Sequence, residues 1–208
     1  MTVTEIKELN AKKVLVTIDG HLVLPLYKGE LRKYGLREDA EIDAASWSEL
    51  WDIVLVKRSR LRAMNLLQKK NYTQTELERK LQENHYPQEL IDQALAYVMQ
   101  FHYVDDRRYA EDYIRFHSTN RSRQRIRRDL LAKGISVDLF DSVWESFLSD
   151  QEDWDEKTQI FRLLEKRHFD PATADEKARA KIFGFLYRKG YSADAIRECM
   201  SVTYESTL

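Results

Sequence analysis

Apolar positions divide the chain into an alternating segment near the N-terminus and a long remainder with helical spacing. Between Lys13 and Tyr27, Val14, Val16 and Ile18 alternate with polar neighbours, and Leu22, Leu24 and Leu26 resume the alternation after Asp19-Gly20. Asp-Gly between two such runs predicts a β-hairpin. Two strands alone are marginal in water, so the ribbon must pack on another element or pair with a partner's edge. LYKGELRKYGL then predicts a short helix closed by Gly35. From Ser46 onward Trp47, Leu50, Trp51, Val54, Leu61, Met64 and Leu67 keep one register, which predicts a single long helix through Lys70.

The helical remainder repeats itself. Laying Glu76 to Val98 against Arg125 to Phe147 and Lys181 to Val202 aligns Leu77 with Ile126 and Ile182, and Leu81 with Leu130 and Leu186. The turn residues His85, Gly134 and Gly190 coincide, followed by Tyr86, Ile135 and Tyr191. Beyond them Leu90, Leu139 and Ala195 match, as do Ile91, Phe140 and Ile196, and Leu95, Trp144 and Met200. Such a frame signals stacked helical units sharing one continuous core. The expected fold is mainly α: three tandem three-helix repeats in an elongated curved array, with a small N-terminal β-hairpin region. The boundaries read as 1–45 for the hairpin and short helix, 46–102 for repeat 1, 103–150 for repeat 2 and 151–208 for repeat 3.

Local signals support the frame. Thr73 and Glu76 have the spacing of a capping box, and Pro87 fits the first turn of the next helix. His85 stands where the sister turns have glycine, a substitution that positive φ tolerates in histidine. Asp105 or Asp106 can cap the helix that carries Tyr109, Tyr113 and Phe116 at helical spacing. That aromatic stripe reads as core between repeats, with base stacking beside Arg107, Arg108 and Arg115 as the alternative. In RSRQRIRRDLLAKGIS, Ser122 is the expected N-cap, Ile126 and Leu130 the buried pair, and Gly134 the residue that closes the helix.

Charge sharpens the picture. The net charge of −1 conceals residues 1–56 at −3, residues 57–133 at +7 and residues 134–208 at −5. A basic middle between acidic ends suits an oriented contact with a polyanion, or with a charged protein. Arg121, Arg125 and Arg128 recur along one helical row, with Arg123 and Arg127 beside them and Lys133 at the end, and only Asp129 interrupts the face. Lys57, Arg58, Arg60, Arg62, Lys69 and Lys70 are either a solvated helix face or a second segment of the same surface. The carboxylates of SDQEDWDE, residues 149–156, lack the glycine and terminal glutamate of a calcium loop and read as a solvated linker.

No candidate chemistry emerges. Cys199, the sole cysteine, aligns with Ala94 and Val143 and reads as core packing, leaving neither an internal disulfide nor a thiolate metal cage. Glu165 and His168 form one Glu-x-x-His, but the second copy that a di-iron bundle needs is missing. His21, His85, His102 and His117 have no ligand spacing, and no phosphate loop, nucleophile elbow or His-Glu-x-x-His helix is present. A non-enzymatic protein without cofactor or metal is expected. With no membrane-length apolar run and no signal-peptide pattern in MTVTEIKELNAKK, it is expected in the cytoplasm, away from membranes.

The turn AKGIS resembles a helix-turn-helix connection. Its arginines, however, precede the turn, and the helix after it, VDLFDSVWESFL, is acidic. Phosphate repulsion disfavours that helix as a major-groove reader.

RAMNLL with YTQTELERKL (residues 62–81), YVDDRRYAEDYI (103–114), RSRQRIRRDLLAKGIS (121–136) and FLYRKGYSADAIRECM (185–200) together resemble the RecX family, bacterial regulators of the RecA recombinase. The resemblance covers residues 46–202, with His85 in place of a more usual glycine as the visible departure. It implies a crescent of three three-helix repeats, without enzymatic activity, that binds the RecA filament on DNA. It further implies modulation, usually inhibition, of strand exchange, ATP hydrolysis and coprotease activity, within DNA repair, homologous recombination and the SOS response. Charge rows, not the family, nominate the DNA- and filament-binding residues: Arg121, Arg123, Arg125, Arg127, Arg128, Lys133, Arg58, Arg62, Arg107, Arg108 and Arg115. The expected partners are the RecA filament and the phosphate backbone of single- or double-stranded DNA, bound by a monomer. The alternatives are a stand-alone DNA-binding regulator and a protein-only adaptor.

Overall fold

A computed structural model describes residues 1–151 and 154–201. Glu152 and Asp153 of the acidic linker, and Val202 at the end of the third aligned segment, lie outside the described residues. The chain divides into two compact units, Met1–Asp105 and Asp106–Leu208.

In the first unit β1 (Val3–Glu8), β2 (Lys13–Ile18) and β3 (Leu22–Tyr27) form an antiparallel sheet in the order β1-β2-β3. The expected hairpin is β2-β3, in register from Lys13 opposite Tyr27 to Ile18 opposite Leu22. Asp19 and Gly20 take φ of 48° and 74°, and the His21 N–H donates to the Ile18 carbonyl at 3.2 Å. Two consecutive positive φ values fit the right-handed twist of the ribbon.

Strand β1 is an addition to the sequence reading. A register shift between Val3 and Glu5 breaks its alternation, leaving Val3 buried and Ile6 half-buried, so the period-two signal is lost. Both sheet edges are met by other elements. The Val3 N–H donates to the Ala40 carbonyl at 3.0 Å and the Ile6 N–H to Glu38 Oε1 at 3.1 Å, while Arg58 Nη1 reaches the Pro25 carbonyl of β3 at 3.2 Å. Of the two fates open to the ribbon, packing is the one observed.

Helix α1 (Lys28–Lys33) ends as expected, with Gly35 at φ 62° and the Leu36 N–H on the Leu31 carbonyl at 2.8 Å. The long helix differs from expectation in start and register. It begins at Ala44 and not at Ser46, capped by Asp43, which accepts from the Ala45 and Ser46 N–H groups at 3.0 and 2.9 Å. It runs as α2 (Ala44–Ser48), a π-helical segment Glu49–Leu55 and α3 (Val56–Leu67). Bonding from i to i+5 inserts an extra residue into the turn and rotates every later position about the helix axis. The buried positions become Leu50, Leu55, Val56, Ser59, Ala63 and Leu66, and Leu61, expected inside, is 53% exposed.

Helices α4 (Gln74–Gln82) and α5 (Gln88–Gln100) complete repeat 1. Thr73 and Glu76 form the capping box, with the Glu76 N–H on Thr73 Oγ1 at 3.1 Å. His85 sits at φ 62°, and Pro87 is the N-cap of α5, one residue outside the first turn. Sheet and repeat 1 share one core from Val3 to Val104.

The second unit holds α6 (Asp106–His117), α7 (Arg123–Ala132) and α8 (Val137–Asp150), then α9 (Glu156–Lys166), α10 (Glu176–Arg188) and α11 (Ala193–Ser201). Gly134 and Gly190 close α7 and α10 at φ 89° and 90°. Aligned positions share burial: Leu81, Leu130 and Leu186 are fully buried, as are Ile91, Phe140 and Ile196. The stripe on α6 is only partly core, since Tyr109 and Tyr113 pack inward while Phe116 is 76% exposed.

Among the described residues the expected continuous core separates into three clusters, one for the sheet with repeat 1 and one for each later repeat. Polar groups join repeats 2 and 3. The Ser118 carbonyl accepts from Trp154 Nε1 at 3.1 Å and from the buried Gln159 amide, whose oxygen accepts from the Tyr191 hydroxyl at 3.1 Å. The Ser122 hydroxyl donates to the Lys189 carbonyl at 2.8 Å.

Candidate nucleic-acid interface

Helix α7 forms where the pattern places it. Ser122 Oγ accepts from the Arg125 N–H at 3.2 Å, and Ile126 and Leu130 bury the inner face. The arginines are left on the remaining faces, but the structure does not treat them alike.

Asp129 collects two of them. Its Oδ2 accepts from Arg121 Nη1 at 2.8 Å and from Arg125 Nε at 3.1 Å, and the Tyr113 hydroxyl donates to the same oxygen at 3.4 Å. Arg121 also lies 2.8 Å from the Tyr113 hydroxyl. Arg123 crosses to α8, donating to Asp141 Oδ1 at 2.8 Å and lying 5.7 Å from the ring centres of both Phe140 and Trp144. The face thus carries more negative charge than its linear sequence implies. All three guanidinium groups nevertheless stay partly in water, with 35–47% of each side chain exposed. An exposed pair of this kind is worth little to stability, so it orients the groups more than it holds the fold.

Arg127 is half-buried and Arg128 exposed, and among the described residues neither has a carboxylate partner. Lys133 lies 5.5 Å from the Tyr109 ring centre. On α6, Arg107 bonds Ser142 Oγ at 2.9 Å and lies 3.8 Å from Glu111, whereas Arg108 and Arg115 are exposed. His117 packs 4.3 Å from the Tyr113 ring; burial and the Arg121 charge hold its imidazole below the ordinary value, so it is largely neutral at pH 7.

The α3 candidates belong to the first unit. Arg58 is taken up by the fold: it pairs with Glu30, bonds the Pro25 carbonyl and stacks 4.8 Å from the Tyr27 ring centre, with 20% of its side chain exposed. Its linear neighbourhood is basic, but the cross-element carboxylate has no signal at short range. Arg62 is half-buried. The structure therefore brings Arg123, Arg125, Arg127 and Arg128 together on α7, with Arg121 just before its N-cap, and withdraws Arg58. Sequence reasoning missed Asp141 and Tyr113 as the groups that aim the arginines. The acidic spacing of α8 was the available clue.

Among the described residues no cluster of three or more His, Cys, Asp or Glu could hold a metal, and no helix is long and apolar enough to cross a membrane. The Glu165-x-x-His168 pair is a helix terminus: His168, at φ 51°, donates its N–H to the Glu165 carbonyl at 2.8 Å. Cys199 is fully buried, and burial pushes its thiol up to about 11.

Three like-built helical units closed by left-handed turns, the second with an arginine-bearing central helix, define a tandem helical-repeat protein. Models of the RecX first, second and third three-helix domains match residues 60–97, 105–143 and 155–200. The chain belongs to the RecX family. It is 34% identical over 142 residues to the regulatory protein RecX of Trichlorobacter lovleyi, covering 66% of this chain and 90% of that protein. Against the regulatory protein RecX of Clostridium perfringens (strain SM101) it is 28% identical over 213 residues, covering 100% and 96%. A crystal structure of a regulatory protein RecX shares the fold with a TM-score of 0.61 at 19% identity, over 97% of this chain and 99% of that one. RecX from Lactobacillus salivarius does so with a TM-score of 0.57 at 20% identity, over 70% and 94%.

Proposed function

We propose that this chain, a non-enzymatic regulator of the RecA recombinase as its family implies, acts by lying in the groove of the RecA–DNA filament. There it inhibits strand exchange, ATP hydrolysis and coprotease activity, with α7 of repeat 2 as the polyanion contact. One observation carries the reading: Arg127 and Arg128 have no counter-ion among the described residues, while Asp129 and Asp141 orient Arg121, Arg125 and Arg123 with their other N–H groups left for a ligand. Guanidinium groups of this kind suit bidentate contact with phosphate.

The acidic face of α8, with Asp138, Asp141 and Glu145, argues against sequence-specific operator binding, because that helix would enter the groove. The test is RecA-dependent ATP hydrolysis on single-stranded DNA with the regulator added. Arg127→Ala/Arg128→Ala should need roughly tenfold more protein for the same inhibition, as expected if two phosphate contacts are lost. Its helicity should be unchanged. Undiminished inhibition by that variant would remove α7 from the mechanism.

A further inference from the structure

The third repeat ends two of its helices in a shared basic pocket. Lys166 and Arg167 close α9, and Lys189 closes α10; with Leu163 and Phe185 they line a cavity of about 380 Å³. The Arg167 guanidinium lies 3.7 Å from the Phe185 ring centre, and Lys189 Nζ lies 5.2 Å from the same point. Among the described residues no carboxylate lines the cavity, and none of the three cations is in an ion pair.

A helix C-terminus commonly attracts a basic residue, which would explain each cation singly. Here the helix ends are already satisfied by backbone. The Phe169 N–H takes the Leu164 carbonyl at 3.0 Å, and the Lys189 N–H takes that of Leu186 at 3.0 Å. The side chains are not consumed in capping. Three like charges around one cavity, two of them held against its ring and none with a counter-ion among the described residues, repel one another and favour an anion among them.

We propose that Lys166, Arg167 and Lys189 form a second phosphate-binding site, which takes a phosphodiester of the nucleic-acid strand that α7 contacts; the site depends on α7 being that strand's first contact. Position favours a phosphodiester over an acidic peptide. The Lys189 carbonyl accepts from the Ser122 hydroxyl at 2.8 Å, and a Cβ placed on Gly190 would lie 3.4 Å from the Arg125 backbone nitrogen. The turn that carries Lys189 therefore adjoins the first turn of α7, and the proposed strand runs from one to the other. Stacking on Phe185 leaves the N–H edges of Arg167 free for a two-oxygen anion, while the two lysines act as point charges.

The test is fluorescence anisotropy of a labelled oligothymidylate of about 20 nucleotides with the full chain, over a salt series. Losing two phosphate contacts through Lys166→Gln/Lys189→Gln should lower the log-log salt slope by about 1.4 and weaken binding roughly ten- to thirtyfold near 0.1 M salt. Arg167→Lys, which keeps the charge but removes the fork, should weaken binding with little change in slope. If the wild type binds and Arg127→Ala/Arg128→Ala lowers the slope while the lysine double variant does not, the pocket is overturned and the α7 reading stands. Loss of poly-glutamate binding in the double variant, with its DNA slope intact, would assign the pocket to carboxylates and overturn the proposal likewise. A wild-type chain that binds no oligonucleotide overturns the α7 reading, and the pocket with it.

Discussion

At Gly190 two constraints meet in one residue. Its φ is 90°, and a Cβ there would fall 2.8 Å from Ser122 Oγ, inside any tolerated contact. Gly20 shares only the first constraint, with φ 74° and open space around it. Gly20→Ala should cost about 1 kcal/mol from backbone strain alone. Gly190→Ala should cost at least about 2 kcal/mol, because the close approach to Ser122 adds to that strain. Urea denaturation of both variants checks the ordering, and equal losses would show that the turn does not press on α7. Arg58 supplies the second case. Paired with Glu30 and bonded to Pro25, it fastens α3 to β3, so Arg58→Ala should cost about 2 kcal/mol. Its DNA affinity should stay within about twofold of wild type when both are measured folded, since such a contact would otherwise shift the salt slope.

Among the elements, the third repeat buries two groups that titrate at high pH. Burial pushes the Tyr191 hydroxyl up to about 12 and the Cys199 thiol up to about 11, so both are neutral in the folded state. In the unfolded chain these groups lose their protons at lower pH, near 10 and near 9. Between those limits the folded state binds more protons, and stability falls as pH rises. Their contribution is fully present below about pH 9 and should be lost progressively toward pH 12. A urea midpoint series from pH 8 to pH 11 should show the decline, and Cys199→Ala should flatten its first part. The helix termini carry a related lesson about legibility. Capping at Thr73 and Ser122 and the left-handed turns at His85, Gly134 and Gly190 were readable, because each depends on residues within one turn of each other. His102 and His168 take the same conformation, at φ 54° and 51°, yet carried no such mark in the sequence because histidine adopts it less often than glycine. Strand β1 and the π-helical segment were hidden for a different reason: a bulge and an inserted residue each break the period on which recognition depends.

For the whole molecule the relevant quantity is how charge is presented, not its sum of −1. Of the basic residues nominated from sequence, Arg58 went into the fold, Arg121, Arg123 and Arg125 acquired carboxylate partners, and Arg127 and Arg128 kept none among the described residues. If about three to five phosphates are contacted, binding to duplex DNA should weaken with a log-log salt slope of about −2.7 to −4.5. A gel-shift series from low to moderate salt measures it, and a slope near zero would leave the basic face without a nucleic-acid role.

The linear chain by itself determined the repeat frame, the buried positions shared by Leu81, Leu130 and Leu186, the β2-β3 turn and the membership that these motifs signal. All of these arise from local periodicity and backbone preference, which act over a few residues. Tertiary structure alone decided that Glu30 would claim Arg58, that Asp141 would draw Arg123 onto α8, and that Arg167 and Lys189 would converge on Phe185 in a cavity that Lys166 also lines. Coulombic interaction depends on distance in space, and residues 18 to 28 positions apart become neighbours only when their helices pack.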